Sequence, residues 1–131
     1  MKILVILAAI LVFIGITTKA RAFEGWTKKQ IFLEATCELL LLADMSQTLT
    51  IARNPDRYYE KNPILGRHPS EDFVTGYFVA GMIFHPVVSY FLPPKSKKYK
   101  WINRENWQYA WIVVETGAVA NNLIVGIGFS F

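Results

Sequence analysis

TKKQIFLEATCELLLLADMSQTLTIAR, residues 27–53, is the stretch whose reading decides the fold. Thr27 and Gln30 have capping-box spacing, with the hydroxyl and the amide side chain placed to satisfy free backbone amides at a helix start. The helix can run to Ala52 or Arg53 and must stop before Asn54-Pro55. Within it Glu34, Cys37 with Glu38, Leu41, Asp44 with Met45, and Thr48 recur at steps of three and four, so the polar groups share one face. A strand would scatter them to both sides. Glu34 and Glu38 lie in the first turns and can reach a headgroup zone, but Asp44 sits near the middle of the apolar run.

Two further runs have the same character. Near 30–51, 72–92 and 108–129 the chain is apolar over lengths too great for a small soluble core, and each run carries an ionisable residue: Asp44, His85 and Glu115. Burying such groups in hydrocarbon costs several kcal/mol each unless they find partners, which predicts that they face one another inside a helical bundle. The second helix, about 72–92, begins at Pro69 or Ser70, with Glu71 and Asp72 suited to its first turn. It places Tyr77, Gly81, His85 and Ser89 four residues apart. Small Gly76, Ala80 and Gly81 would admit a close neighbour, Pro86 would kink the helix, and Pro93-Pro94 ends it. The third, about 104–125, aligns Trp111, Glu115, Ala118 and Asn122.

Composition agrees with this pattern. The 131 residues are 53% hydrophobic and 18% charged, room for one compact unit, with the charges concentrated between the apolar runs as a bilayer imposes. Cys37 is the one cysteine, so no intramolecular disulfide and no CxxC metal site exist. The net charge of +4 is dispersed among loops without a nucleic-acid fold signature, so anchoring at anionic headgroups explains it better than nucleic acid.

The amino end divides the chain into residues 1–22, a signal peptide or membrane anchor, and 23–131, a single helical membrane domain. Met1-Lys2, the apolar run Ile3 to Ile16, and Ala-x-Ala at 20–22 form a secretory signal with cleavage before Phe23. Basic residues just beyond an apolar segment tend to stay cytoplasmic, however, and Lys19, Arg21, Lys28 and Lys29 favour an uncleaved anchor. Basic residues in 18–29 and 93–107 place those loops in the cytoplasm and the 54–71 loop and the carboxyl end outside; a cleaved signal would invert this.

Three X-Pro pairs at 54–55, 62–63 and 68–69, with Gly66, predict an ordered loop. Together with Ala43-Asp44-Met-Ser-Gln47-Thr48, the string Asn62-Pro-Ile-Leu-Gly66-Arg-His68-Pro-Ser70 resembles small, uncharacterised multi-span membrane proteins of proteobacteria and bacteriophages. The resemblance covers roughly 26–131. It implies a helical bundle in a bacterial or phage-modified membrane, and it supplies neither reaction nor ligand.

Asp44, Gln47, Thr48, His85, Glu115 and Asn122 are therefore the candidate buried polar cluster. Interhelical hydrogen bonding that fixes the packing is the plainest role; proton or cation handling is the sharper one. A metal-assisted hydrolase built on Asp44, His85 and Glu115 is a third reading, although no HExxH spacing is present. Glu60, Asn62 and His68 form a candidate loop site, with helix capping and local pairing as the plain alternative. Neither a phosphate-binding glycine loop nor a G-x-S-x-G serine is present. The alternating carboxyl end, Leu123 to Phe131, resembles the closing strand of an outer-membrane β-barrel, but residues 23–131 are few for eight spans of about 9–11 residues.

The expectation is thus an all-α, multi-pass inner-membrane bundle of three core helices. An accessory or interaction role is expected rather than an enzyme, with the bilayer, an envelope protein or a second copy as partner. No cofactor and no metal are expected.

Overall fold

A computed structural model describes residues 25–94 and 100–131. Residues 1–22, and with them the question of signal peptide or anchor, lie outside the described residues. The chain forms three helices, α1 (Lys28–Arg53), α2 (Glu71–Phe91) and α3 (Arg104–Ile124). No strand occurs among the described residues, so the alternating carboxyl end is not the closing strand of a barrel.

The helix starts are set by local hydrogen bonds. Thr27 Oγ1 accepts from Gln30 N at 3.2 Å while Gln30 Oε1 accepts from Thr27 N at 3.2 Å, the capping box its spacing predicts. Ser70 Oγ caps α2 by accepting from Phe73 N at 3.3 Å, and Asn103 Oδ1 caps α3 by accepting from Asn106 N at 3.0 Å. α3 ends in a Schellman turn: Ile127 N donates to Asn122 O at 2.9 Å, Gly126 N donates to Leu123 O at 3.0 Å, and Gly126 takes φ +86°. The tail then folds back on α1, where Ser130 N donates to Ser46 Oγ at 2.7 Å and Thr50 Oγ1 donates to Gly128 O at 2.9 Å.

α1 is the central helix and packs against both others, whereas α2 and α3 touch each other much less. Arg53 pairs with Glu71 at 2.9 Å at one end, and Glu34 meets His85 and Ser89 towards the other, so α2 runs antiparallel to α1. α3 runs parallel to α1, with Gln30 against Arg104, and Gln47 against Val119. The apolar core, Leu41, Met45, Leu49, Val74, Phe78 and Met82, lies between α1 and α2, and Leu65 closes it from the connecting loop. Gly76 and Gly81 face open space, with nothing within 4 Å of a Cβ built on either, so the close neighbour expected there is not one of the described helices.

The 54–70 loop is ordered by its own bonds. Asn62 Oδ1 accepts from Ile64 N at 3.0 Å, Glu60 N donates to Arg67 O at 2.9 Å, and Gly66 reverses the chain at φ +75°.

Polar and apolar side chains are distributed unusually. Gln30, Glu34, Glu38, His85, Gln108 and Glu115 are buried, while Phe32, Leu39, Ile83, Phe84, Val113 and Ile124 are exposed. α2 alone among the described helices is long and apolar enough to cross a membrane by length and composition.

Candidate functional site

Two polar sites occupy successive levels of the bundle. The first, towards the start of α1, is centred on Glu34. Its Oε1 meets His85 Nδ1 at 2.7 Å, and its Oε2 accepts from Ser89 Oγ at 2.8 Å and from Gln108 Nε2 at 2.7 Å. All four residues are buried, so each of the three helices contributes to one closed network. The period of α1 brings Glu38 to the same face one turn on, also buried. Neither Glu38 carboxylate oxygen has a hydrogen-bond partner, nor does His85 Nε2.

Arg104 lies at the edge of this site, and its donors go to neutral acceptors: Ser89 O at 2.7 Å, Gln30 Oε1 at 3.1 Å, Leu92 O at 3.2 Å and Tyr90 O at 3.3 Å. It thereby ties the end of α2 to the starts of α1 and α3. The His85 ring stacks on Trp107, with centroids 5.4 Å apart and planes at 17°, and meets the Trp111 ring edge-on at 5.5 Å.

The second site is a cavity of about 520 Å³ in the crevice between α2 and α3, with α1 behind it and the 57–62 loop at its end. Asp44, Thr48, Glu115 and Asn122 line it together with Tyr77 and Trp111. Asn122 Nδ2 donates to Asp44 Oδ1 at 3.2 Å, and the Asp44 and Glu115 carboxyl groups line the same cavity. Tyr77 Oη accepts from Asn62 Nδ2 at 3.1 Å, fixing the loop over the chamber.

The structure thus divides the sequence-derived cluster. Asp44, Thr48, Glu115 and Asn122 converge on the cavity, as the one-face alignment of Trp111, Glu115, Ala118 and Asn122 on α3 requires. Gln47 instead donates to Val119 O at 3.4 Å and joins α1 to the α3 backbone. His85 belongs to the Glu34 site. Of the loop residues, Glu60 and Asn62 line the cavity, whereas His68 is exposed and is not part of its lining. Glu60 Oε1 also accepts from Lys61 N and Asn62 N, both at 2.8 Å, the local pairing expected of a loop carboxylate.

Glu34, Glu38, Ser89, Arg104 and Gln108 are the members that sequence reasoning left out. Their signal was the four-residue step from Glu34 to Glu38 and from His85 to Ser89. The first two lie where they could reach a headgroup zone, but both are buried in the bundle. Comparison with protein-family models, with curated proteins and with solved structures finds no match to the chain.

Proposed function

We propose that the protein is a small integral membrane protein whose three helices cross a bacterial inner membrane as a bundle. In this reading it serves the envelope as a binding or accessory component, with the chamber at the 54–70 end as its binding surface. The observation that carries the membrane reading is the inverted distribution of side chains: carboxylates, amides and an imidazole inside, and phenylalanine, isoleucine and valine outside. In water this arrangement loses on both counts, because it desolvates charge and leaves apolar surface wet. In lipid both costs fall, since the outer face meets hydrocarbon and Glu34, His85, Ser89 and Gln108 hydrogen-bond to one another inside.

Length is consistent with this reading. At 1.5 Å per residue, the 26-residue α1 spans about 39 Å and the 21-residue α2 and α3 about 31 Å, against a hydrocarbon core of about 30 Å. The three carboxylates of α1 lower its hydropathy, but Glu34 and Glu38 are buried and Asp44 is turned towards the cavity. The test is alkaline carbonate extraction of membranes from cells expressing the full chain. Retention in the pellet and release only by detergent is expected; release by carbonate alone overturns the reading.

Proton or cation handling at the chamber is the second reading, favoured by the Asp44–Glu115 carboxyl pair. Asp44→Asn preserves shape and hydrogen bonding but has no carboxyl group to ionise, so it is expected to abolish pH-driven or cation-driven flux in reconstituted vesicles while leaving the fold intact. Unchanged flux in Asp44→Asn removes this reading.

A further inference from the structure

The Glu34 site has a property that structural glue does not need. A network built only to join helices satisfies its own donors and acceptors, because a buried polar atom without a partner loses its hydration uncompensated, the more so if it is charged. Glu34 is satisfied in this way. Glu38, 4% exposed, is not: both its oxygens lack partners, and Arg104 at the edge of the site gives its donors to Gln30 and to main-chain carbonyls. His85, fully buried, presents a second unpartnered atom in Nε2. One donor atom from each of Glu34, Glu38 and His85 lies within 4.8 Å of the others.

We infer that Glu34, Glu38 and His85 form a binding site for a divalent metal ion. Two carboxylates and one imidazole are a mixed oxygen and nitrogen donor set, which suits borderline ions such as Zn²⁺, Mn²⁺ and Fe²⁺ better than thiophilic ones. Ligands about 2.0–2.2 Å from a common ion stand about 3.4 Å apart in a tetrahedron, so the observed spread closes by small side-chain movements. The surroundings are those of a metal centre one layer out. Ser89 and Gln108 both hold Glu34 Oε2, fixing the carboxylate plane, and Trp107 fixes the imidazole plane by stacking on it. Three protein ligands leave at least one position for water or another small ligand. This site is separate from the chamber and does not depend on the membrane reading. It also departs from the sequence-based expectation of no metal, and from the sequence-derived triad of Asp44, His85 and Glu115, two of whose members face the cavity.

The test uses untagged full-length protein in detergent, stripped with chelator and titrated with Co²⁺ alone. One Co²⁺ per chain is expected, displaced by Zn²⁺, with quenching of tryptophan fluorescence because Trp107 lies against His85. Glu38→Gln and His85→Gln are each expected to weaken uptake at least tenfold while helical circular dichroism is retained. Uptake absent in the wild type, or undiminished in both folded variants, overturns the site. Should either variant fail to fold, the wild type still decides. The chain has 2 histidines, so in His68→Gln, altered on an exposed loop, His85 is the sole imidazole. Pulsed electron paramagnetic resonance of the Mn²⁺-loaded His68→Gln protein is expected to show coupling to an imidazole nitrogen. A bound ion without that coupling overturns the assignment.

Discussion

At the scale of the residue, Glu34 ties the three helices together, because His85 and Ser89 of α2 and Gln108 of α3 converge on it. Glu34→Ala strands His85 Nδ1, Ser89 Oγ and Gln108 Nε2 together in a closed site. Leaving each buried hydrogen-bonding group without its partner costs about 1–3 kcal/mol, so a large fall in thermal midpoint is expected in detergent. Lys61→Ala, on the exposed loop, is expected to stay within about 0.5 kcal/mol of the wild type in the same assay. Helical periodicity aligns Asp44, His85 and Glu115 on one face of each helix, whereas Glu34, expected near a headgroup zone, is buried in the bundle. Periodicity could not set their level along the bundle, which depends on how the connections align the helices. Part of that information was nonetheless present. With Arg53 and Glu71 paired across the first connection, His85 lies fourteen residues into α2, and fourteen residues back from Arg53 is Leu39, beside Glu38. Counting from the loop would have moved His85 away from Asp44 and towards Glu38.

At the scale of the element, the helix limits were legible because they rest on local chemistry. Thr27, Ser70 and Asn103 each cap the helix that follows, and the sequence-based limits of α2 and α3 differ from the observed ones by only a residue. The carboxyl end was not legible in this way. Its alternation imitates a strand, whereas Gly126 ends α3 in a left-handed turn and the tail takes its bonds from Ser46, Thr50 and Arg53 of α1. Two glycines of the same region separate these effects. Gly126→Ala forces a side chain into φ +86° and is expected to destabilise by about 1–2 kcal/mol. Gly117→Ala, inside α3 with open space at its Cβ, is expected to stabilise by about 0.5–1 kcal/mol. Thermal unfolding of the two variants should therefore move in opposite directions.

At the scale of the whole molecule, the three helices give the bundle two chemically different ends. Arg104 N bonded to Pro93 O, and Lys29 paired with Glu105 at 2.7 Å, bring the α2–α3 connection to the start of α1. Tyr58 Oη bonded to Gly126 O brings the 54–70 loop to the tail at the other end. In the proposed membrane bundle, the loop charges would put the first end in the cytoplasm. Reporter fusions at the two ends are accordingly expected to give opposite sidedness, with the carboxyl-terminal fusion reporting the outside; the same sidedness at both ends would contradict a three-span path.

The proposed membrane bundle sets its exposed apolar face against lipid and turns its polar groups inwards. Its most direct test is nitroxide accessibility in lipid vesicles for Leu39→Cys, Ile83→Cys and Val113→Cys, one from each helix, in a Cys37→Ser background. These three positions are 67%, 62% and 71% exposed. In a membrane bundle all three labels are expected to collide freely with oxygen and scarcely with a water-soluble nickel chelate, unlike a label at Lys61→Cys on the loop. Labels at the three helix positions as open to nickel as the loop label would contradict the account.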